Sequence, residues 1–203
     1  LNGAQYRTIS IAVGGLVSVF SQCTPPPIAS VGDVFEDSMV LNDVTDPSRL
    51  LYSMPGKMHY FPDPFYLNFE TKTADEITFF RKLGNKMVVG LQTSLFRVNY
   101  LPRETDSEFD RGRPMEPISE AYGIVGRQAG ALFNPDDTSL TLAFVSHTGV
   151  HLTDGFTSTL LSGDLDWPNT VRLPVAGDAT NYLADSILVD YPNLQVLAFY
   201  YTP

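Results

Sequence analysis

Short apolar runs separated by turn residues recur along most of this chain. That is the pattern of half-buried antiparallel strands. The clearest case is Leu140 to Gly155, LTLAFVSHTGVHLTDG. It reads as a strand, a tight turn at Thr148-Gly149, a second strand and a turn at Asp154-Gly155. Three other stretches share the outline: Arg49 to Phe61 (RLLYSMPGKMHYF), Lys86 to Val98 (KMVVGLQTSLFRV) and Leu194 to Pro203 (LQVLAFYYTP). A hairpin recurring every roughly 40 to 55 residues predicts a propeller or related β-array. The lead-in repeats as well. Asp75-Glu76-Ile77 precedes Met87 to Val89 as Asp185-Ser186-Ile187 precedes Val196 to Phe199. The expected fold is therefore all-β and antiparallel, built from β-propeller-like repeated hairpins, each unit a blade of three to four strands. Four partial units do not close a propeller, so the chain is expected to be a fragment of a larger propeller protein.

Around these hairpins the pattern divides the chain in two. Residues 1–27 are expected to form N-terminal strands, Ile9 to Phe20 among them, followed by the stiff spacer Thr24-Pro25-Pro26-Pro27. The Ile9 to Phe20 run is too short to span a bilayer. Residues 28–203 are expected to form the blades. Val31 to Leu41 is strand with acidic punctuation at Asp33, Glu36 and Asp37. In the Arg49 to Phe61 hairpin, Met58 to Phe61 returns after the Pro55-Gly56 turn. An irregular insertion occupies residues 101–118: LPRETDSEFDRGRPMEPI is charged, proline-containing and without period. Ser119 to Phe133 favours strands over helix, because Gly123, Gly126 and Gly130 each weaken a helix by roughly 1 kcal/mol.

Composition narrows the function classes. A net charge of −10 argues against binding nucleic acid through its phosphates, which requires clustered Lys and Arg. It allows a surface past which DNA slides without sticking. The single cysteine, Cys23, makes neither an internal disulfide nor a cysteine zinc site. No cofactor and no membrane partner are expected.

Four arrangements are weighed for chemistry. His147 and His151 flank the hairpin turn with Asp154 nearby, a possible start to a metal site, whereas exposed hairpin histidines are the plainer reading. His59 is expected to reflect the repeat. A Ser146-His147-Asp154 triad lacks the strained nucleophile turn, and Ser146 and His147 point to opposite faces of one strand. Ser162-Gly163-Asp164-Leu165-Asp166-Trp167 starts like the Asp-box of sialidases, but Asp166 stands where that motif has Gly and Trp167 comes too early. It is expected to be an acidic turn capped by a buried tryptophan. Gly123 to Gly130, GIVGRQAG, has the wrong spacing for a phosphate loop. No catalytic, cofactor-binding or metal-ligating residue is assigned.

The order of the motifs resembles one family. Leu51-Tyr52-Ser53 is followed by Phe61-Pro62; Glu76-Ile77 by Met87-Val88-Val89 and Ser94-Leu95-Phe96-Arg97; Phe144-Val145-Ser146-His147-Thr148-Gly149-Val150 by Asp154-Gly155. From about Val31 to Ser162 the chain resembles β-propeller phage tail and neck proteins, such as the podophage nozzle or tubular tail protein and the DNA-stabilising stopper. That resemblance implies a structural virion protein without catalytic residues. It implies a hexameric ring around the DNA exit channel, in contact with neighbouring tail or portal proteins. Two alternatives stay open. A propeller glycoside hydrolase would need two carboxylates about 5 to 10 Å apart in one pocket. A host-receptor binding module would use the 101–118 insertion.

Overall fold

The computed structural model describes residues 27–63, 65–71, 75–103, 112–134, 140–165, 167, 183, 185–191 and 196–200. The strands expected in residues 1–26, Cys23 included, lie outside these. The described residues form fourteen strands in antiparallel pairs. They build three four-stranded sheets in which strands consecutive in sequence are hydrogen-bonded neighbours, and one two-stranded sheet. The first blade is β1 (Gly32–Phe35), β2 (Ser38–Asn42), β3 (Arg49–Tyr52) and β4 (Tyr66–Asn68). The second is β5 (Ile77–Leu83), β6 (Lys86–Leu91), β7 (Leu95–Val98) and β8 (Met115–Ser119). The third is β9 (Gly130–Phe133), β10 (Thr141–Ser146), β11 (Gly149–Thr153) and β12 (Ser158–Leu160). The fourth sheet pairs β13 (Ile187–Tyr191) with β14 (Val196–Tyr200). The fold is all-β, antiparallel and propeller-like. Among the described residues no helix is long and apolar enough to cross a membrane.

The blades are held by cores lying between them. The second blade has an apolar residue set on each face. Ile77, Phe80, Met87 and Val89 join Phe35, Leu50 and Phe69 of the first-blade side in one core. Phe79, Leu83, Val88 and Leu95 join Leu142 to Val145 and Leu188 in the other. Ile77 and Phe79 have the same parity yet belong to different cores. A β-bulge between them shifts the register against β6 and turns the strand over. Central strand β10 is buried along its whole length, which is why its sequence is a continuous apolar run. Each fully buried Phe or Leu contributes about 1.5–3 kcal/mol, so the joints between blades carry most of the packing energy. The first strand of each blade lies next to the first strand of another, β1 beside β5 and β9 beside β13. Hydrogen bonds cross the same joints. Asp33 Oδ2 accepts from the Lys82 amide at 3.0 Å, and the Gln128 carbonyl accepts from the Leu188 amide at 3.0 Å.

Three expectations change. The return strand of the first hairpin is not Met58 to Phe61. β3 pairs with β2 and with β4, and the described residues between β3 and β4 form a connecting loop that turns through Gly56 at φ 71°. The Met54 amide bonds to the Tyr60 carbonyl, closing this loop on itself. The repeat equivalent of the β6–β7 and β10–β11 hairpins is therefore β2–β3. The acidic punctuation at Glu36-Asp37 is the β1–β2 turn, with φ of 46° and 59° at its two central residues, the signs a two-residue hairpin turn needs. The 101–118 insertion is not irregular throughout, since Met115 to Ile118 belongs to edge strand β8. Pro117 is tolerated there because an edge strand has an amide that needs no ladder partner. Residues 104–111 lie outside the described ones.

Candidate functional site

The lead-in motif Asp-x-Ile positions a site. Asp75 and Asp185 precede the first strands of the second and fourth sheets, as the repeat requires. Asp75 is buried, and its carboxylate holds the β6–β7 turn. Oδ2 accepts from the Thr93 amide at 3.1 Å, the Thr93 hydroxyl at 2.6 Å and the Ser94 hydroxyl at 3.1 Å, while Oδ1 accepts from the Glu76 amide at 3.1 Å. Beside this lock the segment 122–129 crosses from the second blade to the third. Gly123 fits because a Cβ there would lie 2.6 Å from the Ser94 carbonyl oxygen and 2.7 Å from its amide nitrogen. Ile124 then fills the space that a side chain at Gly90 would take. The Ile124 amide donates to Leu91 O at 2.8 Å, and its carbonyl accepts the Thr78 hydroxyl at 2.5 Å. The Val125 amide donates to Val145 O at 3.1 Å, and Ala129 N to Gly126 O at 3.2 Å, so Arg127 and Gln128 sit on a fixed, exposed turn.

Between these fixed segments lies a half-open cleft of about 520 Å³. Glu76 and Thr78 come from the second blade, Gln92 from its β6–β7 turn, Val125 to Gln128 from the crossing segment, and Asp185 from the start of the fourth sheet. Two carboxylates and one guanidinium, that of Arg127, thus line one cleft together with two carboxamides. Gln92 Nε2 approaches Glu76 Oε2 at 3.5 Å. Next to Asp185, the Ser186 hydroxyl is fully buried with no hydrogen-bond partner among the described residues.

The histidine hairpin is assembled differently from both alternatives weighed for it. His147 lies in the two-residue turn, and His151 lies in β11 opposite Phe144. His151 is 4% exposed, with its ring stacked on Tyr122 at 4.2 Å and Phe144 at 5.4 Å between ring centres. It is therefore not an exposed hairpin histidine. Its Nε2 is 2.9 Å from the Thr148 hydroxyl, which is 2.7 Å from the Ser146 hydroxyl. Nδ1 has no partner among the described residues. Burial pushes the pKa of His151 down from its usual value, and that of His147 likewise. Asp154 does not meet either histidine in a hydrogen bond. Its Oδ1 accepts the Phe156 and Thr157 amides at 2.8 Å each. Burial raises its pKa, but these bonds outweigh that and bring it below the usual carboxylate value. Ser146 is fully buried and bonded within its own turn, to the Thr148 amide and the Gly149 carbonyl. Nothing in this geometry gives it a substrate. Among the described residues no group of three or more His, Cys, Asp or Glu is placed to hold a metal ion.

His59 is exposed in the loop between β3 and β4. Trp167 is buried as expected, its ring 5.5 Å from that of Phe199, and Asp164 is exposed; Asp166 lies outside the described residues. Sequence reading missed the cleft. GIVGRQAG was weighed only as a phosphate loop, yet it supplies half of the lining. The shared Asp-x-Ile lead-in was the signal that pointed to the same end of two blades. No protein-family model and no curated protein sequence matches this chain.

Proposed function

We propose that this chain is a structural virion protein of a phage tail or neck, a nozzle, stopper or adaptor component. It assembles into a hexameric ring around the DNA exit channel, docks against neighbouring tail or portal proteins, and lets DNA pass without sequence-specific contact. The observation that supports this reading is what the motif residues do. Ser94, Ser146, Thr148 and Asp154, polar members of the ordered motif series, and Asp75 of the blade lead-in are each engaged in fixing a blade turn. A scaffold that must keep its shape under load needs this. The acidic balance adds support, because a carboxylate-rich passage repels phosphates and keeps DNA mobile.

A second reading, a glycoside hydrolase, is favoured by one feature: Glu76 and Asp185 line the same cleft. Native mass measurement combined with a glycoside turnover assay separates the two. A sixfold particle without turnover supports the ring. A monomer that hydrolyses glycosides overturns it.

A further inference from the structure

The cleft lined by the second blade, the crossing segment and the start of the fourth sheet is a feature that the scaffold reading leaves unexplained. We propose that it is a binding site for a neutral, polyhydroxylated ligand, a short oligosaccharide, held by Glu76, Gln92, Arg127, Gln128 and Asp185.

The lining narrows the ligand class. With two carboxylates against one guanidinium, the site carries a net negative charge inside a protein of charge −10, which disfavours phosphates, sulfates and polycarboxylates. Val125 is its one sizeable apolar side chain, too little surface for a lipid or a flat aromatic ring. What remains is a ligand that satisfies donors and acceptors together. Glu76 and Asp185 only accept, Arg127 only donates, and the amides of Gln92 and Gln128 do both. A purely cationic guest would match the carboxylates but confront the guanidinium with like charge. Vicinal hydroxyls, each at once donor and acceptor, match all five groups. The volume of about 520 Å³ falls within the usual range for small-molecule sites and leaves room for a di- or trisaccharide.

The backbone that carries these groups is also fixed. The Asp75 lock fixes the turn that bears Gln92, and the bonds of Val125 and Ala129 fix the turn that bears Arg127 and Gln128. The backbone is thus set before binding, and the exposed side chains are what the ligand must order. The inference does not depend on the ring reading, since the cleft lies within one chain. It shares its ligand class with the hydrolase reading but involves no bond cleavage.

The test is a glycan array of mono- to tetrasaccharides, followed by isothermal titration of the best neutral hit. Tetralysine and inorganic phosphate serve as alternative probes. A neutral oligosaccharide should bind, and Glu76→Gln, Arg127→Ala and Gln128→Ala should each weaken it at least tenfold. Lys57→Ala, exposed on the first blade, should leave affinity unchanged. Circular dichroism confirms that each variant folds. If no glycan binds, or binding ignores all three cleft substitutions, the proposal is overturned. Preferential binding of tetralysine or phosphate overturns it too. Binding with no release of reducing sugar supports the proposal and removes the hydrolase reading. A sixfold particle that binds no glycan would overturn this inference and leave the ring standing.

Discussion

Replacing Asp75 with Ala should cost about 3 kcal/mol. In the folded chain its carboxylate accepts four hydrogen bonds at 2.6 to 3.1 Å from Glu76, Thr93 and Ser94. A hydrogen bond to a charged group contributes about 1.5–3 kcal/mol net, but these four do not add. Thr93 is exposed, so its amide and hydroxyl find water when the carboxylate is removed. Ser94 is 3% exposed, and its hydroxyl would be stranded, at about 1–3 kcal/mol. One stranded hydroxyl plus partly recovered bonds gives the estimate. Asp75→Asn keeps one acceptor oxygen but turns an amide donor toward other donors, and should cost about 2 kcal/mol. At about 2–4 °C per kcal/mol for a chain of this size, Asp75→Ala should lower Tm by about 6–12 °C. Thermal unfolding followed by circular dichroism reads this directly. A double-mutant cycle of Asp75→Ala with Ser94→Ala should show at least about 1 kcal/mol of coupling. A Tm within about 2 °C of wild type, or no coupling, would refute the view that this carboxylate locks the turn.

Gly123→Ala should destabilise more than Gly90→Ala, by more than ~3 against about 2 kcal/mol in urea titrations. The added methyl at 123 meets Leu91 and Ser94 backbone, whereas at 90 it meets the Ile124 side chain from Cβ outward, which gives way only as the crossing segment moves. Asp37→Gly should stabilise by about 0.5–1 kcal/mol in the same assay. The exposed Asp37 holds φ 59° with a Cβ, and glycine adopts that conformation freely. Acid should weaken the fold through His151. Its folded pKa lies below the unfolded value near 6.5, so the unfolded chain takes up the proton first. The stability it contributes is full above about pH 6.5 and declines as pH falls below that, with His147 adding the same sign. Denaturation midpoints from pH 7.5 to 5 should fall in wild type and fall less in His151→Gln; equal slopes would contradict this. Asp154, whose folded pKa is depressed, gives up its contribution only near and below pH 3.8, outside that window.

What the sequence revealed follows from where burial is strongest. β6, β10 and β14 stood out because each is an apolar run, and in β6 and β10 nearly every residue is buried. The lead-in Asp-x-Ile located β5 and β13 because it directly precedes the first strand of the second and of the fourth sheet. The first blade was misread by one strand. Pro55-Gly56 has the chemistry of a hairpin turn, yet the partner of β3 lies beyond it at Tyr66–Asn68. The true turn, Glu36-Asp37, carries neither Gly nor Asn. Its positive φ angles are supported from a distance, for instance by Glu36 accepting the Leu101 amide at 2.8 Å. Strand β8 was hidden because an edge strand can carry Pro117 and Glu116, with Glu116 ion-paired to Arg97. Burial of His151 depends on Tyr122, which arrives on the segment crossing between blades, so the hairpin alone could not show it. The cleft was least legible of all. Glu76, Gln92, Arg127 and Asp185 meet only once three sheets have packed, and no local spacing encodes that.

The central claim, that the repeated polar motifs serve a ring-building scaffold, is tested most directly by electron microscopy of the purified native particle. The account expects closed sixfold rings with an open axial channel. Isolated monomers at assembly concentrations, with no ring in any class average, would contradict it.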